Sequence, residues 1–140
     1  MPPGTKFMRA RVQVLVVEDS PIVRERLIQK LSQMKDVDVT ASGDFKTGLD
    51  SFTKKLPEMV ILDIQLPDRS GLDLLDTIKK DRPGTVVAIF TNHISDRIRK
   101  QSMAKGADFF FDKSTDMETM FAAILRWKTT RGTMQHETQQ

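Results

Sequence analysis

Five short apolar runs alternate with five stretches of helical spacing along this chain. That alternation restricts the fold more than any other feature of the sequence. The runs cover residues 12–17, 37–41, 59–63, 86–91 and 108–111 and are rich in β-branched and aromatic residues. The third run, from Met59, is apolar without alternation, the mark of a strand buried on both faces. Between them the pattern changes period. Ser20-Pro21 opens a first helix, because Ser suits the N-cap and Pro the first helical position. Ile22, Val23, Leu27, Leu31 and Met34 then recur at helical spacing. A second helix is expected over 44–54, with Phe45, Leu49 and Phe52 on one side and Pro57 closing it. A third starts at Ser70-Gly71 and carries Leu72, Leu75 and Ile78, ahead of Pro83-Gly84. A fourth starts at Ser95 or Asp96 and stops by Gly106. The last, over 115–128, lines up Met117, Met120, Phe121, Ile124 and Leu125. Strict strand–helix alternation predicts an α/β protein: a parallel sheet, helices on both faces, right-handed crossovers.

The 140 residues suffice for one hydrophobic core. Residues 1–11 (Pro2, Pro3, Gly4, then basic residues) are expected to form a flexible lead-in, 12–128 the folded domain, and 129–140 a polar tail or the start of a linker. Cysteine is absent, which excludes disulfides and thiolate sites, and two histidines speak against a zinc centre. The net charge of +3 is a weak excess, and several basic residues lie near the ends. No basic stripe is interleaved with aromatics, so direct nucleic-acid binding is not expected. Lys6, Arg9 and Arg11 precede an apolar run, as in a secretory leader. That run is short, however, and ends in Glu18-Asp19 without a small-residue cleavage site. No stretch approaches a membrane span. A cytoplasmic protein without membrane contact is expected.

The chemistry gathers at strand ends. Asp63 closes the apolar run that begins at Met59, where a carboxylate is rarely buried unless paired. The first strand ends in Glu18-Asp19, the fourth in Thr91, and the fifth just before Lys113. Open α/β sheets bind ligands beyond the carboxyl ends of their strands. Three carboxylates, a hydroxyl and an ammonium should therefore meet in one cleft. Three carboxylates repel unless a cation is supplied, and Mg²⁺ suits such oxygen ligands. Lys113 and Thr91 would then suit a phosphoryl group carried on a carboxylate. Taken singly, each residue has a plainer explanation: solvated loop acids, a locally bonded threonine, a surface lysine. Their placement on one edge carries the argument.

The stretches "LVVEDSPIVRERL", "VILDIQLPDRSGLDLL", "AIFTNHIS" and "GADFFFDKS" resemble, in order and spacing, a response-regulator receiver domain of the CheY-like kind. The resemblance covers residues 12–128. It implies a flavodoxin-like, doubly wound (βα)5 fold with strand order 2-1-3-4-5. It implies that Asp63 is the phosphoacceptor for a histidine kinase or histidine phosphotransfer protein. Mg²⁺ (or Mn²⁺) would be held by Asp19, Asp63 and the backbone carbonyl of Gln65, with Glu18 acting through water. Lys113 would pair with phosphoryl oxygens, Thr91 would move to bond them, and Phe110 stands at the family's aromatic switch position. Gln65 and His93 occupy positions that tune phosphoryl lifetime, and Asn92 is bulkier than the usual residue beside the switch threonine. Ser114 follows Lys113 where many members carry proline. The expected output is a downstream effector protein reading the face of the fourth helix, fifth strand and fifth helix, around Arg97, Lys100 and Phe110; a homodimer is compatible with it. Such a domain is not a turnover enzyme. It acts alone or as part of a larger, helix-turn-helix regulator. Two rivals are weighed here: an aspartate-nucleophile hydrolase, whose second acid would fall where Gln65 stands, and a receiver-shaped module that takes up no phosphate.

Overall fold

Alternate residues of β1 (Val12–Val17) turn to opposite faces of a parallel sheet, and this sets up two cores. Val14 and Val16 face one side with Leu27 and Leu31 of α1 (Pro21–Ser32) and Met120, Phe121 and Ile124 of α5 (Met117–Thr138). Leu15 and Val17 face the other. There they meet Phe45 and Phe52 of α2 (Phe45–Lys55), Leu74, Leu75 and Ile78 of α3 (Gly71–Asp81), and Ile98 of α4 (Asp96–Ala104). The remaining strands are β2 (Val37–Ser42), β3 (Met59–Leu62), β4 (Val86–Thr91) and β5 (Phe109–Asp112). The order is β2-β1-β3-β4-β5 and every pairing is parallel. The structure is a computed structural model; it describes residues 11–138, with side chains as far as Arg131.

Helix starts follow the local chemistry. Ser20, Asp44, Ser70 and Ser95 each cap a helix by accepting a backbone N–H of its first turn. Asp44 thus stands just outside α2, where the sequence pattern put it inside. Leu56, in the left-handed region at φ 48°, ends α2 one residue ahead of Pro57. Two boundaries differ more. Arg11 does not belong to a free lead-in: its Nε donates to Asp38 at 2.7 Å and its Nη2 to the Val37 carbonyl. The rest of the expected lead-in lies outside the described residues. The last helix runs on through Thr138 rather than stopping near Lys128. No proline interrupts residues 129–138, and Arg131 is tied to Glu58 at 3.3 Å. Among the described residues no helix is long and apolar enough to cross a membrane.

Candidate functional site

The sheet ladder continues one residue past the strands and carries the site residues with it. Asp63 N–H donates to the Val17 carbonyl at 3.0 Å, Glu18 N–H to Ser42 at 2.9 Å, and Lys113 N–H to Thr91 at 2.9 Å. Three strand ends thus hold the backbone of three charged residues at one edge. Glu18 and Asp63 are buried at 1% and 4% exposure, Thr91 is fully buried, and Asp19 is exposed.

Lys113 is the hub. Its Nζ donates to Asp63 Oδ2 at 2.7 Å and lies 2.7 Å from Glu18 Oε1. The second contact is a buried ion pair. Glu18 Oε2 accepts the Ser20 N–H at 2.9 Å. Burial pushes the Glu18 carboxyl above its ordinary value, against the pull of Lys113 and the Ser20 N–H. Burial also draws Lys113 down, but its contacts with Asp63 and Glu18 outweigh this and hold it above its ordinary value. The ammonium is therefore secure at neutral pH.

One oxygen each from Glu18, Asp19 and Asp63 lie within 4.8 Å of one another. Three carboxylates face one ammonium. This is a surplus of hard oxygen and negative charge that a divalent cation fits.

The loop after Asp63 is drawn tight. Asp63 Oδ1 accepts the Gln65 N–H at 3.1 Å, Gln65 bridges to Ser70, and Gly71 N–H donates to the Ile64 carbonyl at 2.6 Å. A Cβ on Gly71 would run into the Asp63 carbonyl, so only glycine allows α3 to start there. Across the cleft, Gln65 Nε2 and His93 Nδ1 lie 3.0 Å apart. The sequence singles out both positions but says nothing of their contact. Asn92 is exposed, and its side chain has no hydrogen bond among the described residues. The Thr91 hydroxyl is turned to the His93 N–H at 3.1 Å. Phe110 is buried, with the Arg99 guanidinium 4.6 Å over its ring; Arg99, rather than Arg97 or Lys100, is the cation that meets it. Every peptide bond among the described residues is trans, Lys113–Ser114 included. Arg24 and Asp68 escaped the sequence reading, since both act through loop carbonyls or N–H groups that follow no periodicity.

Residues 14–125 match the family model described as the response regulator receiver domain. The chain belongs to this family. A curated relative, the "Probable transcriptional regulatory protein TcrX" of Mycobacterium tuberculosis, is 32% identical over 82% of this chain and 50% of its own length. A receiver domain from Methanospirillum hungatei JF-1 has the same fold, with a TM-score of 0.81 over 89% of this chain and 98% of that one, at 22% identity. The BeF3-activated receiver domain of DrrB, a Thermotoga maritima protein, superposes with a TM-score of 0.74 at 26% identity, over 85% and 98% of the two chains. This receiver domain spans about half the length of the curated relative it matches. Its order β2-β1-β3-β4-β5 is the flavodoxin-like one expected.

Proposed function

We propose that Asp63 accepts a phosphoryl group from the phosphohistidine of a histidine kinase or phosphotransfer protein. The observation that carries this is the buried Asp63 carboxylate, 2.7 Å from Lys113, with Glu18 and Asp19 alongside. One Asp63 oxygen attacks phosphorus, a P–O bond forms, and the P–N bond to the donor histidine breaks with its electron pair returning to the ring. Lys113 stays beside the transferred group and balances its charge. Asp19, Asp63 and the Gln65 carbonyl would hold Mg²⁺ (or Mn²⁺), with Glu18 reaching it through water; the ion would supply Lewis-acid charge stabilisation.

The phosphoryl group adds about 1.5 to 2 negative charges. Thr91 exchanges its bond to the His93 N–H for one to phosphoryl oxygen, and Phe110 follows into the vacated space. The face of α4, β5 and α5 changes as a result, and a downstream effector, in the same longer chain or separate, reads it. Gln65 and His93 lie where attacking water must pass and set the lifetime of the acyl phosphate, with Asn92 beside them. The domain then acts in the cytoplasm, without direct nucleic-acid or membrane contact, as a signalling domain rather than a turnover enzyme.

Incubation with MgCl2 and acetyl phosphate, followed by intact mass, tests this. One acid-labile phosphoryl group is expected on the wild type and none on Asp63→Asn. An equal adduct on both proteins would sink the assignment. Multiple turnover of phosphoesters would favour a hydrolase, and no adduct on either would favour an inert module. On the labelled protein, Gln65→Ala and His93→Ala should change the half-life; unchanged decay in both removes them as tuning residues.

A further inference from the structure

Asp19 is the least supported of the three acids. Glu18 has its N–H on Ser42, its Oε2 on the Ser20 N–H and its Oε1 against Lys113. Asp63 has Lys113 and the Gln65 N–H. The Asp19 carboxylate is exposed and has no hydrogen bond or ion pair among the described residues. Only its backbone determines where it points, and that backbone has one side-chain tether.

The tether is Arg24, in the first turn of α1. Its Nη1 donates to the Glu18 carbonyl at 2.8 Å and reaches the Asp19 carbonyl at 3.4 Å. Among the described residues Arg24 forms no ion pair, although the acid pair is close by. Its guanidinium serves the carbonyls of these two acids rather than their carboxylates. The slot for it is built in: Gly43, between β2 and α2, has no Cβ, and one placed there would come within 3.0 Å of Nη1. A cation that bonds carbonyls through one Nη1, without pairing with the carboxylates, orients ligands and leaves them free to bind.

We propose that Arg24 is a positioning residue for divalent-cation binding, holding the loop so that the Asp19 carboxylate faces Glu18 and Asp63 before the cation arrives. This rests on the phosphoacceptor reading above. Charge and positioning predict opposite signs. Removing a nearby cation would by Coulomb's law tighten binding of Mg²⁺, whereas removing a ligand-orienting contact weakens metal binding, typically 10–100-fold.

Titrating the full chain with MgCl2 by calorimetry decides between them, with thermal melting as the check on folding. Arg24→Met should raise the Mg²⁺ midpoint about tenfold or more, while saturating Mg²⁺ restores the wild-type level of acetyl phosphate adduct. Arg24→Lys keeps the charge but carries it on a compact, flexible ammonium in place of the planar guanidinium; its midpoint should rise by less. It carries the test if Arg24→Met does not fold. An unchanged or lowered midpoint in either folded variant overturns the proposal. Should the wild type itself bind no Mg²⁺ and form no adduct, the phosphoacceptor reading fails and this inference with it. Wild-type binding and phosphorylation with unaffected variants overturns the role of Arg24 alone.

Discussion

Two lysine–aspartate pairs stand at opposite ends of this sheet, and they are built differently. At the amino edge, Lys79 of α3 donates to Asp108 Oδ2 at 2.8 Å and to the carbonyls of Thr85 and Pro83. Asp108 also accepts the Val87 N–H at 2.8 Å. One cation meets one anion, and the lysine finds acceptors all round. At the carboxyl edge, Lys113 meets Asp63 and Glu18, with Asp19 close by. The first pair balances its charge; the second leaves a surplus that a cation could take up. Open volume misleads here. A depression of about 530 Å³ opens at the amino edge, beside Trp127, Arg82 and Arg131. Its one acid, Glu58, is already taken by Arg131 and the Gln13 N–H, and among the described residues its one buried side-chain oxygen without a partner is the Thr85 hydroxyl.

The sharpest way to break this contrast is to remove each lysine. Lys113→Met leaves Glu18 and Asp63, both at most 5% exposed, without their cation. Stranding a buried charge in this way costs about 3–5 kcal/mol. Millimolar Mg²⁺ should recover part of that loss. Lys79→Met should cost about 1–3 kcal/mol, at the low end because Asp108 is 39% exposed and regains water. Its loss should be the same with MgCl2 or with chelator. Urea unfolding of both variants in the two buffers measures this. Losses indifferent to Mg²⁺ in both would erase the distinction.

Two glycines extend the comparison at smaller scale. A Cβ on Gly71 meets the Asp63 carbonyl and comes within 2.9 Å of Ile64 Cα, all backbone that cannot step aside. Gly71→Ala should cost about 1–3 kcal/mol by overpacking and slow adduct formation, because the displaced atoms carry the proposed acceptor, Asp63. Gly84, at the amino edge, would meet nothing within 4 Å and is not left-handed. Gly84→Ala should gain about 0.4–1 kcal/mol through the unfolded chain with phosphorylation unchanged. Urea midpoints and adduct rates check both; a Gly71→Ala protein as stable and as reactive as the wild type would contradict the close approach.

How much of this was legible beforehand depended on periodicity. Apolar runs, helical spacing and start or stop residues marked the strands and helices, and the acids, Thr91 and Lys113 were visible because each stands at or just past a strand end on the same edge. Boundaries moved where local bonding decided them: Asp44 caps from outside its helix, and Asp63 lies past β3, held to Val17 by its own N–H. Loop pairings were not legible. The Gln65–His93 contact, the turn of Thr91 toward the His93 N–H, and Arg24 on the Glu18 carbonyl all depend on backbone that follows no repeat.

Asp68 shows that the carboxyl edge also holds purely structural charge, and it gives the smallest of these effects. Its carboxylate accepts the Phe45 N–H at 2.8 Å and the Lys46 N–H at 3.1 Å, tying the loop after Asp63 to the start of α2. An anion at a helix N-terminus satisfies orphan donors and meets the favourable end of the helix dipole. The Phe45 N–H, ahead of the opposing effect of burial, holds this carboxyl below its ordinary 3.8. Because the folded value is depressed, the contribution is fully present above 3.8 and fades as pH falls through the lower, folded value. Asp68→Asn should therefore melt below the wild type at neutral pH, with a gap that stays constant down to mild acid and closes below the ordinary carboxylate range. Melting temperatures of both proteins across that range provide the measurement, and a gap that ignores pH would show that shape rather than charge ties this loop to α2. Adduct formation on Asp63 should hardly change, since Asp68 contributes nothing to the surplus that faces Lys113.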